Sequence, residues 1–238
     1  MKAVILAGGK GLRFSEETHT RPKPMIKIGD KPILWHLIKY LSNQNISEFI
    51  IALGYKGNII KKYIKNEKTL KHLKIHLVET GKNSMTAARI KKIEHLIKED
   101  YFLLTYGDGL SNINIKKLIE FHKKYKKIGT MSVVKLPPRW GYVKYMKNYV
   151  IKSFDEKSIK NKNMINGGFM IMNKKIFKFI KPNINSLVFE SDILPKIVKK
   201  QELMAYKHDG FWQCMDNIRE KIILENIWNT KKAPWKIW

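Results

Sequence analysis

Near the start of the chain a short apolar run, Val4-Ile5-Leu6-Ala7, stops at Gly8-Gly9-Lys10-Gly11, and Arg13 follows. An apolar run cut off by glycines reads as a buried strand that turns sharply into a loop at its carboxyl end. Glycines permit the turn and let backbone N–H groups come close to a ligand. A polar stretch then leads to Arg21-Pro22-Lys23-Pro24, which brings a second cation, Lys23, up beside Arg13. A polyphosphate is the ligand that suits such a construction best. The turn alone is common in α/β domains and carries no function by itself. It is neither G-x-x-x-x-G-K-[ST] nor G-x-G-x-x-G, so a Walker A loop and the dinucleotide fingerprint are both excluded.

The rest of the chain repeats a strand–helix pattern. Apolar residues at 34, 37, 38 and 41 predict a helix beginning near Pro32, and helices are also expected over 58–64, 86–98 and 115–124. Strands are expected over 48–53, 74–78, 101–106, 129–134 and 165–172. A hairpin is expected from 142–145 with 149–153, and lysine-rich 158–163 reads as a loop. Towards the end come a helix over 189–200 despite Pro195, a strand from 203 and a final helix over 218–228. This β-α-β order predicts a mostly parallel sheet with crossover helices on its faces. No repeat or linker interrupts it, so residues 1–238 read as one domain with a less regular C-terminal half.

Composition narrows the function classes. With 238 residues, 44% hydrophobic, the chain can bury a sizeable core. It has no run of 18 apolar residues and no secretory pattern, and its single cysteine, Cys214, forms neither a disulfide nor a cysteine-built zinc site. A cytoplasmic protein with no membrane partner is expected. The formal charge of +27 comes from 47 Lys and Arg against 20 Asp and Glu. The lysines are scattered among Ile and Asn, with no basic block interleaved with aromatics, so nucleic acid is not the expected partner. The charge should steer anionic substrates instead.

Two acids stand out. Asp108 lies between Gly107 and Gly109 at the carboxyl end of strand 101–106, which reads as the most buried strand by composition, where open α/β sheets place their ligands. Asp216 follows the aromatic-rich Gly210-Phe211-Trp212 turn. Both could be ordinary turn aspartates, or they could hold Mg²⁺, which favours carboxylate oxygen and keeps its waters. Lys157 could meet an anion and Asn166 a sugar hydroxyl; the plainer readings are a solvated lysine and a strand bulge. His36, His72, His76, His95 and His122 show no ligand or triad spacing and are expected at the surface or partly packed. Ser153 and Cys214 lack the setting of a nucleophile, so no covalent intermediate is suggested.

The pairing of L-A-G-G-x-G-x-R with P-K-P resembles the signature of the sugar-phosphate nucleotidylyltransferases. Further stretches, among them TYGDG, MINGGF, GFWQCMDNIREK and KAPWKIW, extend the likeness along the whole chain. The last two resemble the branch that uses CTP and glucose 1-phosphate. The resemblance implies a Rossmann-like α/β fold and a direct in-line reaction of CTP with α-D-glucose 1-phosphate, giving CDP-glucose and pyrophosphate. It implies that Leu6, Ala7, Gly8, Gly9 and Gly11 hold the nucleotide phosphates, with Arg13 on the leaving pyrophosphate and Lys23 on the phosphate under attack. Thr80, Gly81, Ser84 and Thr86 would read the base and ribose, Asp108 and Asp216 would hold Mg²⁺, and Gly141, Glu156, Lys157 and Asn166 would hold the sugar phosphate. A homo-oligomer is implied too, and the apolar tail 233–238 is expected to need cover. Three departures from the family pattern are Leu12 for a threonine, Ala87-Ala88 for two glycines, and Ser158 for a proline. The alternatives are the same chemistry on another phosphorylated acceptor, or a silent relative that binds nucleotide or nucleic acid.

Overall fold

The computed structural model describes residues 1–135, 142–147, 149–155 and 164–238. The chain runs β1 (Lys2–Ala7), α1 (Ser15–Thr18), β2 (Lys27–Ile28), β3 (Lys31–Pro32), α2 (Ile33–Ser42), β4 (Glu48–Leu53), α3 (Gly57–Asn66) and β5 (Lys74–Glu79). It continues through α4 (Thr86–Lys92), β6 (Tyr101–Tyr106), β7 (Gly109–Ser111), α5 (Ile115–Tyr125), β8 (Gly129–Lys135), β9 (Tyr142–Tyr145) and β10 (Ile151–Asp155). Last come β11 (Met164–Asn173), α6 (Leu194–Lys199), β12 (Leu203–His208), β13 (Trp212–Cys214) and α7 (Ile218–Asn229).

Seven strands form one sheet in the order β12-β8-β11-β6-β1-β4-β5. β1 pairs in parallel with both β4 and β6, and β11 alone runs antiparallel to its neighbours. The chain builds β4 and β5 on one side of β1 and then crosses to β6 on the other. The order reverses at β1, and a crevice opens beyond the carboxyl ends of β1 and β6, the place where such sheets bind ligands. Both faces of the sheet are covered. Ala3, Ile5 and Ala7 point into one core with α2, while Val4 and Leu6 point into the other with Ala87 and Ile90 of α4.

Two helices differ from the periodicity. The stretch expected as one helix over 86–98 ends at Lys92, because Ile93 has left helical geometry at φ −100° and ψ 1°, and a 3-10 turn Glu94–Leu96 follows. The stretch 189–200 opens as a π-helical turn, Phe189–Ile193, and then becomes α6. Pro195 falls in the first turn of α6, where proline is tolerated. No helix among the described residues is long and apolar enough to cross a membrane.

The tail 233–238 finds much of its cover within the chain: Trp235 is fully buried, stacked between Phe211 and Trp228, and Trp238 packs edge-on against Trp35, while Ile237 stays 49% exposed. One further expectation needs correction. His36 and His122, expected at the surface or partly packed, are both buried, His36 inside the same aromatic cluster and His122 against Thr130.

His36 makes the tail's docking sensitive to pH. Its Nε2 faces the Ile28 carbonyl at 2.9 Å, and its Nδ1 faces the Trp235 indole N–H at 3.4 Å. One neutral tautomer serves both, with Nε2 donating and Nδ1 accepting. A proton on Nδ1 would set two donors against each other. Burial holds the His36 pKa down at about 4, against an ordinary 6.5. The unfolded chain therefore takes up the proton first, and stability falls as pH drops from 6.5 towards 4. The loss at that end is about 3 kcal/mol from this residue. Denaturant midpoints measured across that range for the unmodified chain and for His36→Gln should converge on the acid side.

Candidate active site

The first loop forms a cradle. β1 delivers Gly8 to the crevice, where its carbonyl accepts the Tyr55 N–H, and Gly11 turns the chain at φ +65° into a 3-10 turn, Leu12–Phe14, that carries Arg13. A Cβ on Gly11 would meet the Thr18 side chain at 2.8 Å, so glycine is required there for space and conformation alike. Lys23 opens the next 3-10 turn, Lys23–Met25, with Pro22 and Pro24 fixing its entry, and its side chain is almost wholly buried.

The Lys23 ammonium lies between two carboxylates. It donates to Asp108 Oδ2 at 2.6 Å and to Asp216 Oδ1. Burial, the largest single influence, would lower its pKa; the two carboxylates outweigh it and hold the value above the ordinary 10.5. The acids are 108 residues apart in sequence, and a small ladder brings them together. β7 pairs antiparallel with β13, Gly109 opposite Cys214, and the Met215 N–H then donates to the Asp108 carbonyl at 2.9 Å. The start of α7 fixes Asp216 from the other side. Asn217 caps the helix by accepting from the Glu220 N–H at 3.0 Å, and the Glu220 carboxylate accepts from the Asp216 N–H.

Two cavities meet at this point. A smaller one of about 300 Å³ is walled by Gly8, Gly9, Gly11, Lys23 and Arg89. A larger one of about 870 Å³ is walled by Asn166, Glu190, Trp212 and Asp216 among others. Met85, Thr86, Tyr106 and Asp108 line both. Of the residues singled out in the sequence, Leu6, Ala7, Gly8, Gly9, Gly11, Lys23, Ser84, Thr86 and Asp108 line the smaller cavity. Asn166 and Asp216 line the larger, with Thr86 and Asp108 shared. Thr80 and Gly81 line neither. The Thr80 hydroxyl is spent inside, donating to the Leu53 carbonyl and accepting from Arg89. Gly141, Glu156 and Lys157 lie outside the described residues.

Mg²⁺ suits the donor set at this junction. Asp108 and Asp216 present hard carboxylate oxygens that already converge on one positive charge, the Lys23 ammonium. Cys214, Asp216 and Glu220 also bring ligand atoms within 4.8 Å of one another. There Glu220 serves as the cap just described, and burial, reinforced by the Glu220 charge, pushes the Cys214 thiol up to about 12. A thiol held neutral makes a poor nucleophile.

Arg89, to which the sequence pattern assigns no role, belongs to this site. This side chain is buried beneath the glycine loop. Its Nη1 donates to the Leu53 carbonyl, the Thr80 hydroxyl and the Gly81 carbonyl at 2.7–2.9 Å, and its Nη2 to the Gly8 carbonyl at 2.8 Å. The one hint was an arginine ending an otherwise small and apolar stretch, Ala87-Ala88-Arg89.

The family model for nucleotidyl transferases matches residues 2–219. The chain belongs to the nucleotidyl transferase family. Within the family, a glucose-1-phosphate cytidylyltransferase of Salmonella typhi is 42% identical over 259 aligned positions spanning all of both chains. A probable glucose-1-phosphate cytidylyltransferase of Bacillus subtilis strain 168 is 37% identical over 257, again covering both completely. Among solved structures, HddC from Yersinia pseudotuberculosis complexed with GMP-PN matches at a TM-score of 0.74 and 26% identity, over 95% of this chain and 99% of that one. UDP-glucose pyrophosphorylase complexed with UDP-glucose shares the fold at a TM-score of 0.75 and 19% identity, over 97% and 99%.

Proposed function

We propose that the chain is a glucose-1-phosphate cytidylyltransferase, joining CTP to α-D-glucose 1-phosphate to give CDP-glucose and pyrophosphate. The observation that carries the reading is Lys23 clamped between Asp108 and Asp216 where a glycine-lined cavity opens into a larger one. The full-length likeness to cytidylyltransferases supports the choice of nucleotide and acceptor. A cytoplasmic location fits this reading, because a nucleoside triphosphate is its substrate.

In this reading the N–H groups of the first loop receive the nucleotide phosphates, and Arg13 is assigned to the leaving pyrophosphate. A phosphate oxygen of the sugar attacks the α-phosphorus; the new P–O bond forms as the bond to the β-phosphate oxygen breaks. Lys23, held protonated by its two acids, faces the charge that spreads over the α-phosphate oxygens. Mg²⁺, which Asp108 and Asp216 would hold, supplies further neutralisation of that charge. No side chain has to give up or take a proton, because the attacking phosphate is already an anion. The chain's contribution is therefore positioning and fixed charge. Ser84 and Thr86 are assigned to the base and ribose, and Asn166, with Gly141, Glu156 and Lys157, to the sugar phosphate.

Pyrophosphate release tests this directly, with each nucleoside triphosphate tried against glucose 1-phosphate and a panel of other phosphates. CTP with glucose 1-phosphate should give the highest kcat/KM. Silence with every triphosphate would sink the enzyme reading, and turnover with UTP or dTTP but not CTP would sink the choice of base.

A further inference from the structure

Glu190 is a carboxylate in the wall of the larger cavity, with no cation partner among the described residues. That is unexpected in a site for anions. Asp108 and Asp216, in the same wall, are balanced by Lys23. The partners of Glu190 are instead two hydroxyls. Its Oε2 accepts from Thr86 Oγ1 at 2.6 Å, and its Oε1 accepts from the Tyr106 hydroxyl. Thr86 is anchored in turn, its oxygen accepting from the Phe189 N–H at 2.8 Å. The backbone fixes the same corner, because Met85 and Ala87 at the start of α4 donate to the carbonyls of Asn185 and Leu187. Glu190 is thereby held in one orientation by both of its oxygens.

A carboxylate offers about four acceptor sites, and these two bonds use two of them. What remains is acceptor capacity without donors, on the wall of a cavity that must take an anionic substrate. A second phosphate there would be repelled. A polyol is attracted, because its hydroxyls donate. Tyr106 and Thr86 line both cavities while Glu190 lines only the larger, which sets it on the acceptor's side of the junction.

We propose that Glu190 is a specificity-determining residue of the acceptor pocket, accepting hydrogen bonds from hydroxyls of the hexose ring while Thr86 and Tyr106 hold it in place. The proposal rests on the sugar 1-phosphate reading above. It makes the site discriminate by the loss of a partner. An acceptor that lacks the hydroxyl leaves a fixed carboxylate desolvated and unpaired, a heavier penalty than the simple loss of contact.

The test uses glucose 1-phosphate and its 2-, 3-, 4- and 6-deoxy analogues with the full chain. At least one analogue should fall about a hundredfold or more in kcat/KM with the unmodified protein. Glu190→Gln keeps the shape but makes one of the two atoms a donor. It should raise the KM for glucose 1-phosphate about tenfold, leave the KM for CTP within about twofold, and shrink the discrimination against that analogue about tenfold. Glu190→Asp, which keeps the charge and withdraws it, should weaken discrimination in the same direction and serves if the glutamine variant does not fold. Equal losses with every acceptor, at unchanged selectivity, would show a purely structural pin and overturn the proposal. So would unaltered kinetics. An unmodified chain that turns over no sugar phosphate at all overturns the reaction and this proposal together, which separates the two failures.

Discussion

Lys23→Met lowers kcat about a thousandfold, the cost of removing a preorganised charge from a site of charge development. Methionine keeps the unbranched stem, so the turn between Pro22 and Pro24 survives and the effect is on charge. Two carboxylates then face each other without the cation between them, and the folded state loses about 2 kcal/mol, less than for a wholly buried pair because both acids are partly exposed. Steady-state rates and urea unfolding measure the two effects separately. The same variant bears on the metal. With the ammonium gone, the carboxylates should favour a divalent cation more, so added Mg²⁺ should raise the thermal midpoint of Lys23→Met more than that of the unmodified chain. An unchanged kcat would remove Lys23 from the chemistry; an equal response to Mg²⁺ in both proteins would remove Asp108 and Asp216 from the metal site. Because the acids raise the Lys23 pKa, its pairing is complete through neutral pH and is lost only as pH climbs through a value above 10.5.

Much of this arrangement was legible in the residues, for identifiable reasons. β1 and its glycine loop showed because an apolar run ending in glycines is a local signal. α2, α3 and α5 showed because their apolar residues recur with helical period over ten or eleven positions. Asp108 showed because its two glycines mark a strand end. The meeting of Asp108 with Asp216 did not show. It depends on β7 and β13, each only three residues long and too short to display a period. The Glu190 network was hidden likewise, since Thr86 and Glu190 are brought together by a π-helical turn no local pattern announces. Charged and titratable side chains misled in a different way. Lysine and arginine are normally solvated, so little beyond the small, apolar stretch that it ends distinguished Arg89 from the other 46 basic residues of the chain. His36 and Trp235 were misjudged because each alone reads as an awkward residue, and they satisfy each other only across 199 positions.

Arg89→Ala should be the most destabilising single change near the site. The side chain is buried, and its fork ties the Gly8 carbonyl at the end of β1 to the Leu53 carbonyl at the end of β4 and to Gly81 beyond β5. Truncation leaves a cavity and withdraws donors from several buried acceptors, a loss of about 3 kcal/mol. The Gly8 and Leu53 carbonyls keep second partners in the Tyr55 and Thr80 N–H groups, so the sheet itself should persist. What loosens is the loop that begins at Gly8, and the KM for the nucleotide should rise more than the KM for the sugar phosphate. Arg89→Lys should recover little of this, because one ammonium cannot span acceptors on three strand ends as the planar guanidinium does. Gly8 supplies the decisive comparison. A Cβ there would lie 2.2 Å from Arg89 Nη1, so Gly8→Ala is expected to be severe in the unmodified chain. In the Arg89→Ala background that collision is gone, and the second substitution should cost less than it does alone, by about 1 kcal/mol or more. Strict additivity of the two changes in unfolding free energy would mean that Arg89 does not press against the loop, and that its hold on the nucleotide cradle is not the reason for its burial.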